Sequence, residues 1–278
     1  MIEEAIRRDE IEGARRSIEA ARRLDPDAGA TSIEVAGGLV AFAGVDSPLS
    51  QALGVGAPQP VSASDIAKIT EFYESRGAIP MVFVTPAADP SLQRELTAAG
   101  YVAGDREQSL LASDDLVSHA QRDARIGVAH DIAAWAKASA SGFLEREQLE
   151  PGEDVIALIL ATTQGTVALE VRDGHRIIST GAVSVSGEHA TLFAGSTHTA
   201  FRRQGWHAAL IRDRVARARE AGARLVRATA GPGSASERNF LRCGFVKLYM
   251  RVLWERKASE PSAALLRRSD SDCDSLRS

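Results

Sequence analysis

Apolar residues recur at helical spacing from the start of the chain. Ile6, Ile11, Ala14, Ile18 and Ala21 punctuate a run of arginines and glutamates over residues 2–24, and Pro26 follows. Spacings of three and four with a proline just beyond predict an amphipathic helix. The period then shortens, and blocks at 31–35, 38–43 and 51–55 predict strands. Ile66, Ile69, Phe72 and Tyr73 share one face of a helix that Ser64 or Asp65 would cap and that runs to about residue 75. Residues 79–85 read as a buried strand, 91–99 as a short helix and 109–112 as a further strand.

The second half repeats this grammar. A strand over 124–129 precedes helical stretches at 132–139 and 154–163. Asp173-Gly174 lies between two β-rich runs, a strong short-range hairpin signal, and a second hairpin turns at 186–188. A helix over 206–221, a strand over 224–229, a helix over 236–243 and a last strand over 247–254 complete the pattern. Each half ends a short helix in glycine followed by an aromatic, at Gly100-Tyr101 and Gly244-Phe245. Glycine after a helix supplies the left-handed stop, and the aromatic opens the next strand. Two copies of one mixed α/β (α+β) unit in tandem are expected, over 1–115 and 116–256. Residues 257–278, rich in Ser, Asp and Arg, read as a disordered tail.

Composition narrows the picture only modestly. With 278 residues and a net charge of −4, the chain has room for two cores and lacks the overall basic footprint of a nucleic-acid or membrane-surface binder. The charged first residues argue against a signal peptide, and no apolar run spans a bilayer. The two cysteines, Cys243 and Cys273, form no metal-binding or disulfide pattern. A cytoplasmic protein without a metal is expected. The arginines at 212, 214, 217, 219, 224 and 227 read by default as a solvated basic face.

The chemistry concentrates between Thr197 and Ile211. A β-rich run ends there, a basic turn containing Arg202, Arg203 and Gly205 follows, and a helix begins at once. The first turn of a helix carries unpartnered N–H groups at the positive end of its dipole, and glycine lets an anion approach the backbone. That arrangement suits a pyrophosphate. The first half has Val55-Gly-Ala-Pro-Gln-Pro60 at the corresponding place, with no cation.

The order Arg202-x-x-Gly205-x-His207 after a strand, followed by Asn239, Gly244 and Phe245, resembles the coenzyme A motifs of the GCN5-related N-acetyltransferase (GNAT) superfamily. The resemblance covers roughly residues 122–256. It implies two tandem GNAT-like domains, each a mostly antiparallel sheet flanked by helices, the first degenerate and lacking the cofactor loop. It implies acetyl-CoA as co-substrate and acetyl transfer to a small amine by direct attack. Backbone groups of Ser196, Thr197 and His198 would pair with the pantetheine. The N–H groups of Arg203, Gln204, Gly205, Trp206 and His207 would hold the pyrophosphate beside Arg202, and Asn239 would reach the pantetheine or its thiol end.

His207 departs from the small residue usual in that family. Phe240 stands where many members place a tyrosine acid, and no glutamate lies on the strand before the loop. Tyr249 is therefore the candidate acid and His198 the candidate base, with structural roles as the plainer reading of both. Glu145, Glu147, Glu150 and Glu153 would suit a cationic amine if the fold gathered them. The alternative reading is a non-catalytic protein that retains the fold and binds CoA or a partner; a homodimer is compatible with either.

Overall fold

The structure, a computed structural model, describes residues 2–113 and 120–256. The tail and Cys273 lie outside the described residues. In the first half α1 (Ile2–Leu24) leads to β1 (Thr31–Val35), β2 (Gly38–Phe42), β3 (Ala52–Leu53), α2 (Ala63–Glu74), β4 (Met81–Val84), α3 (Pro90–Ala98) and β5 (Tyr101–Ser113). In the second half β6 (Ile126–Val128) is followed by α4 (Ile132–Leu144), α5 (Val155–Thr162), β7 (Thr166–Asp173), β8 (Arg176–Ser186) and β9 (His189–Thr197). Then come α6 (Trp206–Glu220), β10 (Leu225–Ala230), α7 (Ala235–Arg242) and β11 (Val246–Arg256). None of the described helices is long and apolar enough to cross a membrane.

The expected elements are present, with shifts at their ends that have local causes. Ser62, two residues earlier than expected, caps α2. β5 begins at Tyr101 because Gly100 adopts φ +82° and turns the chain directly out of α3; Gly244 does the same after α7 at φ +90°.

All the strands join one sheet in the order β1-β2-β3-β4-β11-β5-β10-β9-β8-β7-β6. Two neighbouring pairs are parallel, β3 with β4 and β9 with β10, and each is joined through a crossover helix, α2 or α6. The last strands of the halves are exchanged. β11 pairs with β4, and β5 lies between β10 and β11. The two segments are thus separate in sequence and motif but share one hydrogen-bonded sheet, and pulling them apart would break three ladders, β4–β11, β11–β5 and β5–β10.

Two main cores flank this seam. One gathers Val40, Ile66, Ile69, Tyr73, Val82 and Leu92 beneath α2 and α3. The other packs Leu192, Ile211, Val215, Val226, Ala228, Phe240 and Phe245 beneath α6 and α7.

Helix α1 bridges the halves. Ile18, Ala20 and Ala21 pack with Leu39 and with Ile159 of α5. On the polar side, Asp9 accepts from Arg227 of β10 at 2.7 Å, and Glu10 accepts from Arg251 of β11 at 3.0 Å. All four of these side chains are at most 10% exposed. Arg227 therefore does not belong to a solvated basic face, and neither does Arg214, which is fully buried. Arg217 is tied to the buried Asp213 at 2.6 Å. The expectation of a solvated arginine face holds at the exposed Arg224 but fails at Arg214, Arg217 and Arg227, which turn inward where carboxylates and carbonyls meet them.

Candidate active site

The site forms where β9 and β10 part. Their parallel register runs from His189 opposite Leu225 to Leu192 opposite Ala228 and goes no further. Beyond it, β9 bulges. Ala194 takes φ +50°, and the register with β8 slips between Thr180 and Ala182. Such an extra residue bends and twists a strand away from its neighbour. The edge of β9 that faces β10 is thereby left without a strand partner from Phe193 to Thr197.

Arg214 holds the bulge in place. From α6 its Nε donates to Leu210 O at 3.0 Å, and its Nη1 donates to Ala182 O at 3.2 Å and Phe193 O at 2.9 Å. The last two carbonyls belong to the Ala182–Phe193 pair, which adjoins the irregularity. Space for the guanidinium comes from Gly181, where a Cβ would lie 3.1 Å from Arg214 Cζ. Burial pushes the Arg214 pKa down to about 10, so the group stays charged at neutral pH.

His207 follows the same logic. Its Nε2 lies 3.1 Å from where a Cβ on Gly195 would sit, so the missing side chain on the strand makes room for the large one on the helix. Asn239 Nδ2 lies 3.1 Å from His207 Nδ1, and Phe240 meets the ring edge-on at 5.9 Å between centroids. Burial, aided by the nearby Arg214 charge, lowers the His207 pKa to about 4 and keeps the ring neutral. With Nδ1 accepting from Asn239, the proton resides on Nε2 and faces the β9 edge.

The loop before α6 presents free donors. Gly205 stands at the helix N-cap with φ +85° and no side-chain capping bond, and Arg203 adopts φ +63°. Among the described residues no backbone N–H from Arg203 to Ala208 finds a protein acceptor; the first to do so is that of Ala209, bound to Gly205 O at 3.0 Å. Consecutive free N–H groups at the positive end of a 15-residue helix make an anion cradle. A hollow of about 510 Å³ opens beside it, edged by Gln204, Trp206, Arg122, Arg125 and Arg212. Arg125 is stacked 4.7 Å over the Trp206 ring.

The remaining sequence candidates fall in several places. Arg202 turns away from the cradle and spans the ends of β9 and α4, donating to Thr197 O at 3.1 Å, Gly142 O at 3.0 Å and Glu145 at 2.7 Å. Arg203 is exposed and has no partner among the described residues, which leaves it as the free cation of the pair. Ser196 Oγ donates to Ser139 O at 3.1 Å, and the His198 N–H is given to Ile178 O at 2.9 Å. Backbone donors alternate along a strand, so the Thr197 N–H faces the open edge.

His198 Nδ1 accepts from the Ala200 N–H at 3.3 Å and caps a 3₁₀ turn at Thr199–Phe201. Its Nε2 lies between Arg176 at 2.5 Å and Glu147 at 3.1 Å. Tyr249 lies on β11, pushed up to about 12 by burial and by Glu10. Two strands, β10 and β5, separate β9 from β11, about 14 Å across the sheet, and the registers set Tyr249 level with Phe193, five residues before His198, so the two backbones are farther apart than that. The fold does not bring the two together. Phe240 is buried against Phe245 at 5.0 Å, a core residue with no proton to give.

Glu147 and Glu150 line one hollow with His198, whereas Glu145 and Glu153 pair with Arg202 and Arg146. Arg214 was hidden from sequence reasoning, since nothing distinguishes it from its neighbouring arginines. Its spacing of seven from His207 on one helix, with Gly181 and Gly195 on the preceding strands, was the available signal.

No family profile matches the sequence, and no curated protein is similar to it in sequence. Solved structures are similar in fold. A GCN5-related N-acetyltransferase from Kribbella flavida is 17% identical at a TM-score of 0.59, over 90% of this chain and 96% of that one. A tandem GNAT protein from the clavulanic acid biosynthesis pathway is 14% identical at 0.58, over 88% and 89%. A putative GNAT-family acetyltransferase from Novosphingobium aromaticivorans is 16% identical at 0.51, over 75% and 84%. Likeness of this kind, together with the parted β9–β10 pair and the crossover helix that follows it, shows that the chain has the GNAT fold.

Proposed function

We propose that this protein is an acetyl-CoA-dependent acyltransferase whose cofactor site lies wholly in the second half, with the first half a degenerate copy that walls the acceptor side. The observation that carries this reading is the row of free N–H groups from Arg203 to Ala208 beside the unpaired edge of β9. A pyrophosphate fits the first and an extended amide chain fits the second. Arg203 and Arg212, neither within ion-pair distance of a carboxylate among the described residues, add charge suited to the remaining phosphate.

Bound acetyl-CoA supplies the activated acyl carbon. The acceptor nitrogen forms its bond to that carbon as the carbon–sulfur bond breaks, and the proton lost by nitrogen ends on sulfur, through solvent where no side chain carries it. This chain contributes orientation along β9, exclusion of water beneath α6, and a neutral His207 whose Nε2–H faces the strand edge. Positioning of that kind supplies more of the rate than a dedicated acid, which typically adds about 10²–10⁴-fold.

The separation of His198 from Tyr249, and the core position of Phe240, favour a second reading: a protein that binds CoA without turnover. Isothermal titration with acetyl-CoA decides the cofactor site. Micromolar binding is expected, weakened about tenfold or more by Arg203→Glu in a protein that melts normally. No binding to the folded wild type would remove both readings. Binding without acceptor-dependent release of CoA across a broad amine panel would select the second.

A further inference from the structure

A cavity of about 190 Å³ lies on the opposite face of the sheet from α6, closed by helix α1 of the first half and lined by Phe193 and Thr191 of β9. Phe193, the first residue of β9 beyond the β9–β10 pairing, lies on its wall, so the cavity reaches the point where the two strands part. An engineered cavity of about 150 Å³ takes benzene, which sets the scale of an occupant at roughly six to ten heavy atoms.

The charges on its wall do not balance. Asp9 and Glu10 are met by Arg227 and Arg251 in the buried network described above, a neutral set of four. Arg16, on the same face of α1, has no hydrogen-bond or ion-pair partner among the described residues, and its Nε is buried without one. Arg16 Nη1 and Ser184 Oγ both lie within 4 Å of the place a Cβ on Gly165 would take, and the buried Thr166 Oγ1 beside them is also unpartnered. A lone cation with two hydroxyl groups at one end of a half-open hollow suits a carboxylate. At the other end only Oδ2 of Asp9 and Oε1 of Glu10 accept from the arginines, and their second oxygens face no donor among the described residues. Those oxygens suit an ammonium group.

On the acyltransfer reading above, we propose that this cavity is the acceptor site and that it takes a short ω-amino acid, with its carboxylate on Arg16 and its amine beside Asp9 and Glu10 next to β9. Asp9 and Arg16 stand seven residues apart, about 10 Å of helical rise. The two charged ends of the ligand are accordingly several bonds apart, as in 4-aminobutyrate, and closer together in glycine than the site requires. The first half thereby supplies the residue that selects the substrate.

The test is equilibrium binding of 4-aminobutyrate, butyrate, n-butylamine and glycine to the full chain, with and without saturating CoA. 4-Aminobutyrate is expected to bind best, with butyrate ahead of n-butylamine and of glycine. Arg16→Met should weaken both four-carbon acids about tenfold or more while leaving acetyl-CoA affinity and n-butylamine binding unchanged, and Arg16→Lys should restore part of the loss. Equal affinity for the acid and the amine, no binding of any of them, or an indifferent Arg16→Met would overturn the proposal. Arg16-dependent binding of the acids without acetyl transfer would leave the pocket standing and remove the enzyme reading. Transfer to n-butylamine as readily as to 4-aminobutyrate would do the reverse.

Discussion

The two crossovers of this sheet differ most at the first turn of their helices. At α2, Ser62 Oγ accepts from the Asp65 N–H at 3.3 Å and Asp65 Oδ2 accepts from the Ser62 N–H at 3.0 Å, a closed capping box that also brings a carboxylate to the positive helix end. The approach to it is filled as well. A Cβ on Gly54 would meet Arg7 and Ile11 of α1 at 3.0 and 3.1 Å, and the Asp89 N–H closes onto Gly56 O at 2.7 Å. At α6 the corresponding turn has no cap, no carboxylate and a row of unused donors. Parallel strands joined by a helix create the opportunity for an anion site in both halves. Whether the first turn is satisfied from within the chain decides which half keeps it.

That contrast can be broken from either side. The largest effect is expected at Arg214, which has no role outside the α6 crossover. Arg214→Met would remove the side-chain donor to the carbonyls of Ala182 and Phe193 and should cost about 2–4 kcal/mol in chemical denaturation, with loss of acetyl-CoA binding as the β9 bulge relaxes. An unchanged midpoint would show that the bulge stands without its arginine.

Next is the pH dependence set by His207. Its folded pKa of about 4 lies below its ordinary value of 6.5, so between the two the unfolded chain binds more protons. Stability is full above 6.5 and falls as the pH drops toward 4, by on the order of 3 kcal/mol for this group. In His207→Asn, urea midpoints measured across that window should vary less with pH than in the wild type. Parallel curves would assign the acid sensitivity elsewhere.

The smallest effect is a control on the sealed crossover. Ser62→Ala should cost about 1 kcal/mol of stability and leave acetyl-CoA affinity untouched. A drop in affinity would mean that the first half takes part in cofactor binding.

Most of the element order was legible in the chain. The period of three to four over α1 and α2, the Asp173-Gly174 turn and the paired Gly-aromatic stops after α3 and α7 are local signals, and local geometry alone produces the structures they announce. The candidate loop was legible for the same reason, because a glycine before a helix and the absence of a capping side chain are properties of adjacent residues. The acid and base were not. His198 and Tyr249 were plausible by residue type, but sheet order separates their strands, and sheet order is a long-range property.

Sequence by itself determined the two-part grammar, the crossover helices and which of them would have an open first turn, since each depends on contacts within a few residues. Tertiary structure alone decided the exchange of β5 and β11, the burial of Asp9 and Glu10 from a face of α1 that reads as solvated, and the inward turn of Arg214 and Arg227. A charged residue on a helix or strand carries the same local propensity whether it meets water or a distant counter-charge. Only the approach of the other half of the chain distinguishes the two, and at Arg16 that approach leaves a cation facing a half-open hollow.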